Sequence, residues 1–142
     1  MLQSKEWPLI VFTLLTQAGV GLFSILVFIR EVLRSHLPEN LENLFTQSTL
    51  IVTLSFPSMG TATAASHLGQ RFKAYRAIRN LSSSYLSREM LLGGLFGSMV
   101  GFLALLVFLE IGSRNFQTIV SFIGIIIGWG FVYAISKVYH IR

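Results

Sequence analysis

The chain has 142 residues, of which 53% are hydrophobic and only 12% charged, with a formal net charge of +5, 12 glycines and no cysteine. An ordinary soluble domain carries about 25% charged residues, so the composition excludes that class and points to an integral membrane protein. The lack of cysteine removes disulfides, thiolate-bound zinc and iron–sulfur ligation from this chain, and the positive charge belongs to loops, which is no signature of nucleic-acid binding.

A hydrocarbon core about 30 Å thick takes about 20 apolar residues at about 1.5 Å rise each. The first apolar run, 8–29, exceeds the core of a signal peptide, and no small-x-small cleavage site precedes Arg30, so a retained helix is expected. The second, 46–68, is polar for its class, and Pro57 within it removes a backbone hydrogen bond and predicts a kink. The third covers 90–111 and the fourth 117–137. Backbone groups in lipid must be satisfied internally, and these runs are too long and continuous for barrel strands. The expected fold is all-α: a single domain, 1–142, of four antiparallel transmembrane helices.

Gly93, Gly97 and Gly101 recur every four residues on the third span, and Gly124 with Gly128 repeats the spacing on the fourth. Such faces let another backbone approach closely. Gly60 and Ala64 supply a weaker small-residue face on the second span.

The one long connection, between the second and third spans, lacks the composition of a flexible linker. Phe72, Tyr75, Ile78 and Leu81 fall three apart, with Lys73, Arg76 and Arg79 beside them. A short interfacial helix fits this spacing, and a basic anchoring loop fits it too. Lys5, Arg71, Lys73, Arg76, Arg79, Arg88, Lys137 and Arg142 fall on one side of the expected membrane, against Arg30, Arg34 and Arg114 on the other. That bias predicts a cytoplasmic N-terminus and central link, unless docking of a partner on the basic surface overrides it.

His67 ends the second span and Glu89 begins the third, so a hairpin returns both to one membrane surface. As a pair they form a proton site, since an imidazole with pKa near 6.5 accepts a proton at neutral pH and a carboxylate orients it or passes the proton on. The plainer reading makes His67 an interfacial cap and Glu89 an acid that complements a helix dipole. Thr13, Thr16 and Gln17 lie inside the first span, where interhelical hydrogen bonding is expected before ligand binding. Glu110 reads as an interfacial charge. A haem held by two histidines fails on placement, because His36 lies on the opposite side from His67 and His140 follows the last span. No phosphate loop, nucleophile triad or metal-ligand cluster is present in the sequence. A proton-coupled carrier usually places an acid deep within a span, and none lies near mid-bilayer here, which disfavours transport.

Glu6-Trp7-Pro8-Leu9-Ile10-Val11-Phe12, Gln17, His67-Leu68-Gly69, Arg76-Ala77 with Leu81, Leu86-Ser87-Arg88-Glu89 and Val138-Tyr139 occur in an order that resembles the membrane anchor subunit of dimethyl sulfoxide reductase, the DmsC family. The resemblance covers nearly the whole chain. It implies a multi-pass subunit of the bacterial cytoplasmic membrane that oxidises menaquinol, a diffusible substrate, in anaerobic respiration. Electrons then pass to an iron–sulfur subunit and on to a molybdopterin catalytic subunit, so the reductase active site and its cofactors lie in partners, with no haem, metal or cluster in this chain. The family's quinol-site histidine falls on His67, its glycine on Gly69 and its acid on Glu89. Lys73 and Tyr75 take the basic and aromatic positions beyond the glycine, and Arg71, Arg76 and Arg79 are expected to dock the iron–sulfur partner. The family often has a proline two residues after the glycine, where this chain carries Gln70-Arg71. The family also has eight spans, so the chain resembles its first half and a second membrane half is a further expected partner. The competing expectation is a truncated, non-redox bundle serving assembly or small-molecule transport.

Overall fold

The structure is a computed structural model that describes residues 7–67 and 85–140, with side chains for all of these except 9, 64–67, 85–87 and 138–140. The described residues form four helices: α1 (Trp7–Leu33), α2 (Glu39–His67), α3 (Tyr85–Phe108) and α4 (Arg114–His140). The principal contacts join α1 to α2, α2 to α3, α3 to α4 and α4 back to α1, which closes a ring around one core.

Three stretches are long and apolar enough to cross a membrane: Ile10–Leu33, Arg88–Phe108 and Arg114–Lys137. Among the described residues, α2 does not meet that measure. Most of its described hydroxyls are nevertheless satisfied within the helix: Ser48, Thr49, Ser55, Ser58 and Thr61 each donate to a carbonyl one turn back, while the buried Thr53 hydroxyl makes no hydrogen bond among the described residues.

The helices overrun the apolar runs at their ends, for local reasons. Helix α2 starts at Glu39 instead of near 46, because Glu39 and Glu42 complement the helix dipole and the Pro38 carbonyl accepts from the N–H groups of Leu41 and Glu42. Helix α4 starts at Arg114 because Ser113 caps it, its Oγ accepting from the Phe116 N–H at 3.3 Å. Helix α3 stops at Phe108, short of 111. The Ile111 N–H donates to the Leu106 carbonyl at 2.9 Å and the Glu110 N–H to the Val107 carbonyl, with Glu110 left-handed at φ 53°. This is a Schellman ending, with glutamate where glycine is usual.

The core holds Phe12, Val20, Phe23, Leu26, Leu50, Phe96, Val100, Leu103 and Phe131. Two edge-to-face pairs lock it, Phe12 with Phe131 at 6.2 Å and Phe23 with Phe96 at 5.8 Å between ring centres. Many large apolar side chains face outward, among them Leu14, Ile25, Phe28, Leu105, Ile126 and Trp129, as lipid contact requires.

The glycines sort differently from the spacing argument. A Cβ at Gly60 would lie 3.1 Å from the Phe12 Cα, so the closest backbone approach joins α1 to α2. Gly93 accommodates the rings of Phe12 and Phe131, Gly124 the ring of Phe23, and Gly128 both Val20 and the ring of Phe96. Gly97 faces open space and Gly101 meets only Leu54 at ordinary contact distance, so the three-glycine stripe of α3 is not one packing face. Pro57 lies within the continuous α2 helix, packed against Gly19, whose Cβ would meet the proline Cδ at 3.3 Å.

One end of the ring carries a buried ionic network. Arg30, 4% exposed, donates from Nε to Glu42 Oε1 at 3.4 Å and from Nη2 to Gln117 Oε1 at 2.7 Å, tying α1 to α2 and α4. Glu42 Oε2 lies 3.1 Å from Arg114 Nη1, an ion-pair distance without hydrogen-bond alignment, and Arg114 also pairs with Glu39. Around it, Thr118 donates to Glu31, and Arg34 donates to Asn115.

Candidate functional site

Among the described residues, the other end of the ring holds a single buried acid. Glu89 sits in the first turns of α3 and is 4% exposed, and its Oε1 accepts a 2.6 Å hydrogen bond from the Thr13 hydroxyl of α1. Among the described residues no arginine or lysine pairs with it. A carboxyl group held in an apolar bundle by one neutral donor is costly to keep, which makes Glu89 the candidate site residue at this end.

Thr13 also borders an open groove of about 400 Å³ between α1 and α4, lined by Ile10, Thr13, Leu14, Gln17, Val132, Ile135 and Ser136. The walls are mostly apolar and the polar groups few, the balance that suits a hydrophobic ligand with a small polar head. Gln17 is half-buried, and its amide makes no hydrogen bond among the described residues. The sequence set Thr13, Thr16 and Gln17 together as interhelical hydrogen-bonders. Only Thr13 takes that part: its hydroxyl reaches Glu89 of α3, whereas the buried Thr16 hydroxyl makes no hydrogen bond among the described residues and Gln17, one turn beyond Thr13, lies on the groove.

His67 is the last residue of α2, and its side chain lies outside the described residues. Helix α2 packs Gly60 on Phe12, next to Thr13, and runs two further turns to His67. Gly69, Lys73 and Tyr75, the docking residues Arg71, Arg76 and Arg79, and the interfacial helix expected over 72–81 all lie outside the described residues. Of the expected site residues, the described geometry therefore covers Glu89, and it adds Thr13 as the partner. Among the described residues no group of three His, Asp or Glu is arranged to hold a metal.

The sequence reading also missed the Arg30–Glu42–Gln117 network and counted Arg30 as a loop charge. A signal was present: Arg30 directly follows the apolar run 8–29 and lies within α1, three residues before the helix ends, where a cation needs a buried partner.

Outward apolar side chains and three helices fit to cross a bilayer define the class: a helical membrane protein, with a buried acid near an apolar groove as its candidate site. The model of the DMSO reductase anchor subunit (DmsC) family matches residues 2–142, and the chain belongs to that family. It is 26% identical over 136 residues to the C subunit of the anaerobic dimethyl sulfoxide reductase of Haemophilus influenzae, covering 96% of this chain and 47% of that one. It is 28% identical over 139 residues to the protein of the same name from Escherichia coli, covering 95% of this chain and 46% of that one. The chain thus spans about half the length of these curated relatives. No solved structure matches it.

Proposed function

We propose that the chain is the membrane anchor and menaquinol-oxidising subunit of a dimethyl-sulfoxide-reductase-like complex in the bacterial cytoplasmic membrane, with all four helices crossing the bilayer antiparallel. The observation that carries this reading is the buried Thr13–Glu89 hydrogen bond beside the groove. Family membership supports the anchor role. For α2, which falls short on apolarity, the return of most of its outward hydroxyls to carbonyls of the same helix supports a fourth span. The helix pairings support the antiparallel order: Arg30 meets Glu42 while Phe12 meets Gly60, and Val20 meets Gly128 while Phe12 meets Phe131.

Oxidation of a quinol to a quinone releases two electrons and two protons. His67 accepts the two hydroxyl protons one after the other, and Glu89 takes up each in turn and passes it toward the membrane surface, so that His67 is neutral again for the second. Thr13 fixes one carboxylate oxygen of Glu89 and leaves the other for the transfer. Gly69 allows close approach of the backbone to the head group, Lys73 and Tyr75 complete the rim, and the isoprenoid tail lies along the apolar groove. Arg71, Arg76 and Arg79 dock the iron–sulfur subunit, which takes the electrons on to a molybdopterin subunit that reduces the terminal acceptor.

The test compares Glu89→Gln and His67→Ala with the parent in membranes that contain the whole complex. Each variant is expected to insert normally, to lower menaquinol-driven reductase turnover by at least about 100-fold, and to leave turnover from an artificial electron donor unchanged. Normal menaquinol turnover in both variants would defeat the reading. Purification of the chain without molybdenum and iron–sulfur subunits would favour the non-redox bundle instead.

A further inference from the structure

The ionic end of the ring holds a second cavity, of about 430 Å³, framed by Arg30, Arg114, Glu39, Glu110, Asn40 and Asn43. It lies where the apolar stretch of α1 ends at Leu33, that of α3 ends at Phe108 and that of α4 begins at Arg114. In a bilayer this is the depth of the lipid head groups.

Two of its charged groups have an unused donor or acceptor among the described residues. Arg30 uses Nε and Nη2 on Glu42 and Gln117, while Nη1 is buried and makes no hydrogen bond among the described residues. An unmade bond from a buried guanidinium is costly, so a ligand acceptor is expected against it. Glu110, on the rim, is exposed, and its carboxylate has no partner among the described residues. It also holds φ 53° at a helix ending that glycine usually occupies, which keeps a carboxylate where the backbone would favour none.

A simple anion would satisfy Arg30 but face the carboxylates of Glu39 and Glu110, and a simple cation would face two arginines. A ligand that carries both signs meets neither conflict. The geometry points to a site for a zwitterionic head group, a phosphate bearing a primary ammonium, supplied by phosphatidylethanolamine of the surrounding membrane. Its phosphate accepts from Arg30 Nη1, its ammonium donates to Glu110, and the Asn40 and Asn43 amides complete the polar wall. This site is at the opposite end of the ring from Glu89 and stands whether or not the quinol reading does.

Native mass spectrometry tests it on the assembled protein, released from nanodiscs that contain equal parts of phosphatidylethanolamine, phosphatidylcholine and phosphatidylglycerol. The ethanolamine lipid is expected to be retained about tenfold over the other two, since choline has no N–H to donate and phosphatidylglycerol carries no cation. Glu110→Gln, at an exposed position, is expected to erase that preference, and Arg30→Lys, which keeps the charge but loses the spare Nη1 donor, to weaken it similarly. Because Arg30 also holds the fold, Glu110→Gln decides the matter if the second variant does not assemble. Equal retention of the three lipids, a preference for phosphatidylglycerol, or an unchanged preference in Glu110→Gln overturns the proposal. Displacement of the lipid by stoichiometric soluble phosphoethanolamine would assign the cavity to a free phosphomonoester and overturn it as well.

Discussion

The two polar ends of the bundle solve the burial of charge in opposite ways. At one end Arg30, Glu42, Arg114, Glu39 and Gln117 form a network in which each carboxylate has a guanidinium within 3.4 Å. At the other, Glu89 is as deeply buried as Arg30 but relies on a threonine hydroxyl, with an open groove alongside. A compensated network costs little once formed and fixes helix register, whereas a lone buried acid is unfavourable and calls for a chemical reason. The difference teaches where to look: the ion-rich end holds the helices together, and the ion-poor end is the candidate for proton transfer.

Substitutions at the two ends sharpen this contrast. Glu42→Gln leaves Arg30 buried beside a neutral amide, and the purified protein is expected to lose about 3–5 kcal/mol in thermal or denaturant unfolding. A loss within about 1 kcal/mol would mean that the network is not what binds α1 to α2. Glu89→Gln carries the reverse pattern, with unfolding shifted by about 1 kcal/mol or less while menaquinol-driven turnover falls by at least about 100-fold. Stability that collapsed together with turnover would erase the distinction between the two ends. Thr13→Val keeps the shape and removes the donor to Glu89, so a destabilisation of about 1–3 kcal/mol is expected, together with slower quinol oxidation. Were Thr13→Val silent in both assays, Glu89 would have to be held by something else. Smallest of all, Glu110→Gly relieves the left-handed glutamate and is expected to raise stability by about 1 kcal/mol, read as a higher unfolding temperature in detergent.

Much of this architecture could be read from the residues. Apolar run length located the helices, since lipid admits few alternatives to a helix of about 20 residues. It did not locate their ends. Glu39, Glu42 and Ser113 extend helices through dipole and capping effects that carry no apolar signal. Glycine spacing identified small residues but not their neighbours: Gly97 has the right period and nothing against it, while Gly60 supplies the closest backbone contact. Glu89 was legible as a candidate through its place at the start of a span. Its partner was not, because Thr13 and Gln17 lie one turn apart on one face of α1, and only the rotation and height of α1 against α3 together decide which of them meets the acid.

That rotation is set by Phe12. The Gly60 backbone lies against its Cα, Gly93 leaves room for the tip of its ring, and Phe131 meets the ring edge-to-face, so three other helices hold one side chain. Thr13 is the next residue along the same helix and inherits that orientation. The aim of its hydroxyl at Glu89 is therefore established during folding and needs no adjustment when a ligand arrives. The entropy of ordering this part of the candidate site is lost while the bundle forms, so on the proposed quinol reading adaptation falls to groups such as Gln17 and to the quinol's own tail. Loosening Phe12, as in Phe12→Leu, would slow the chemistry without touching a single group that handles a proton.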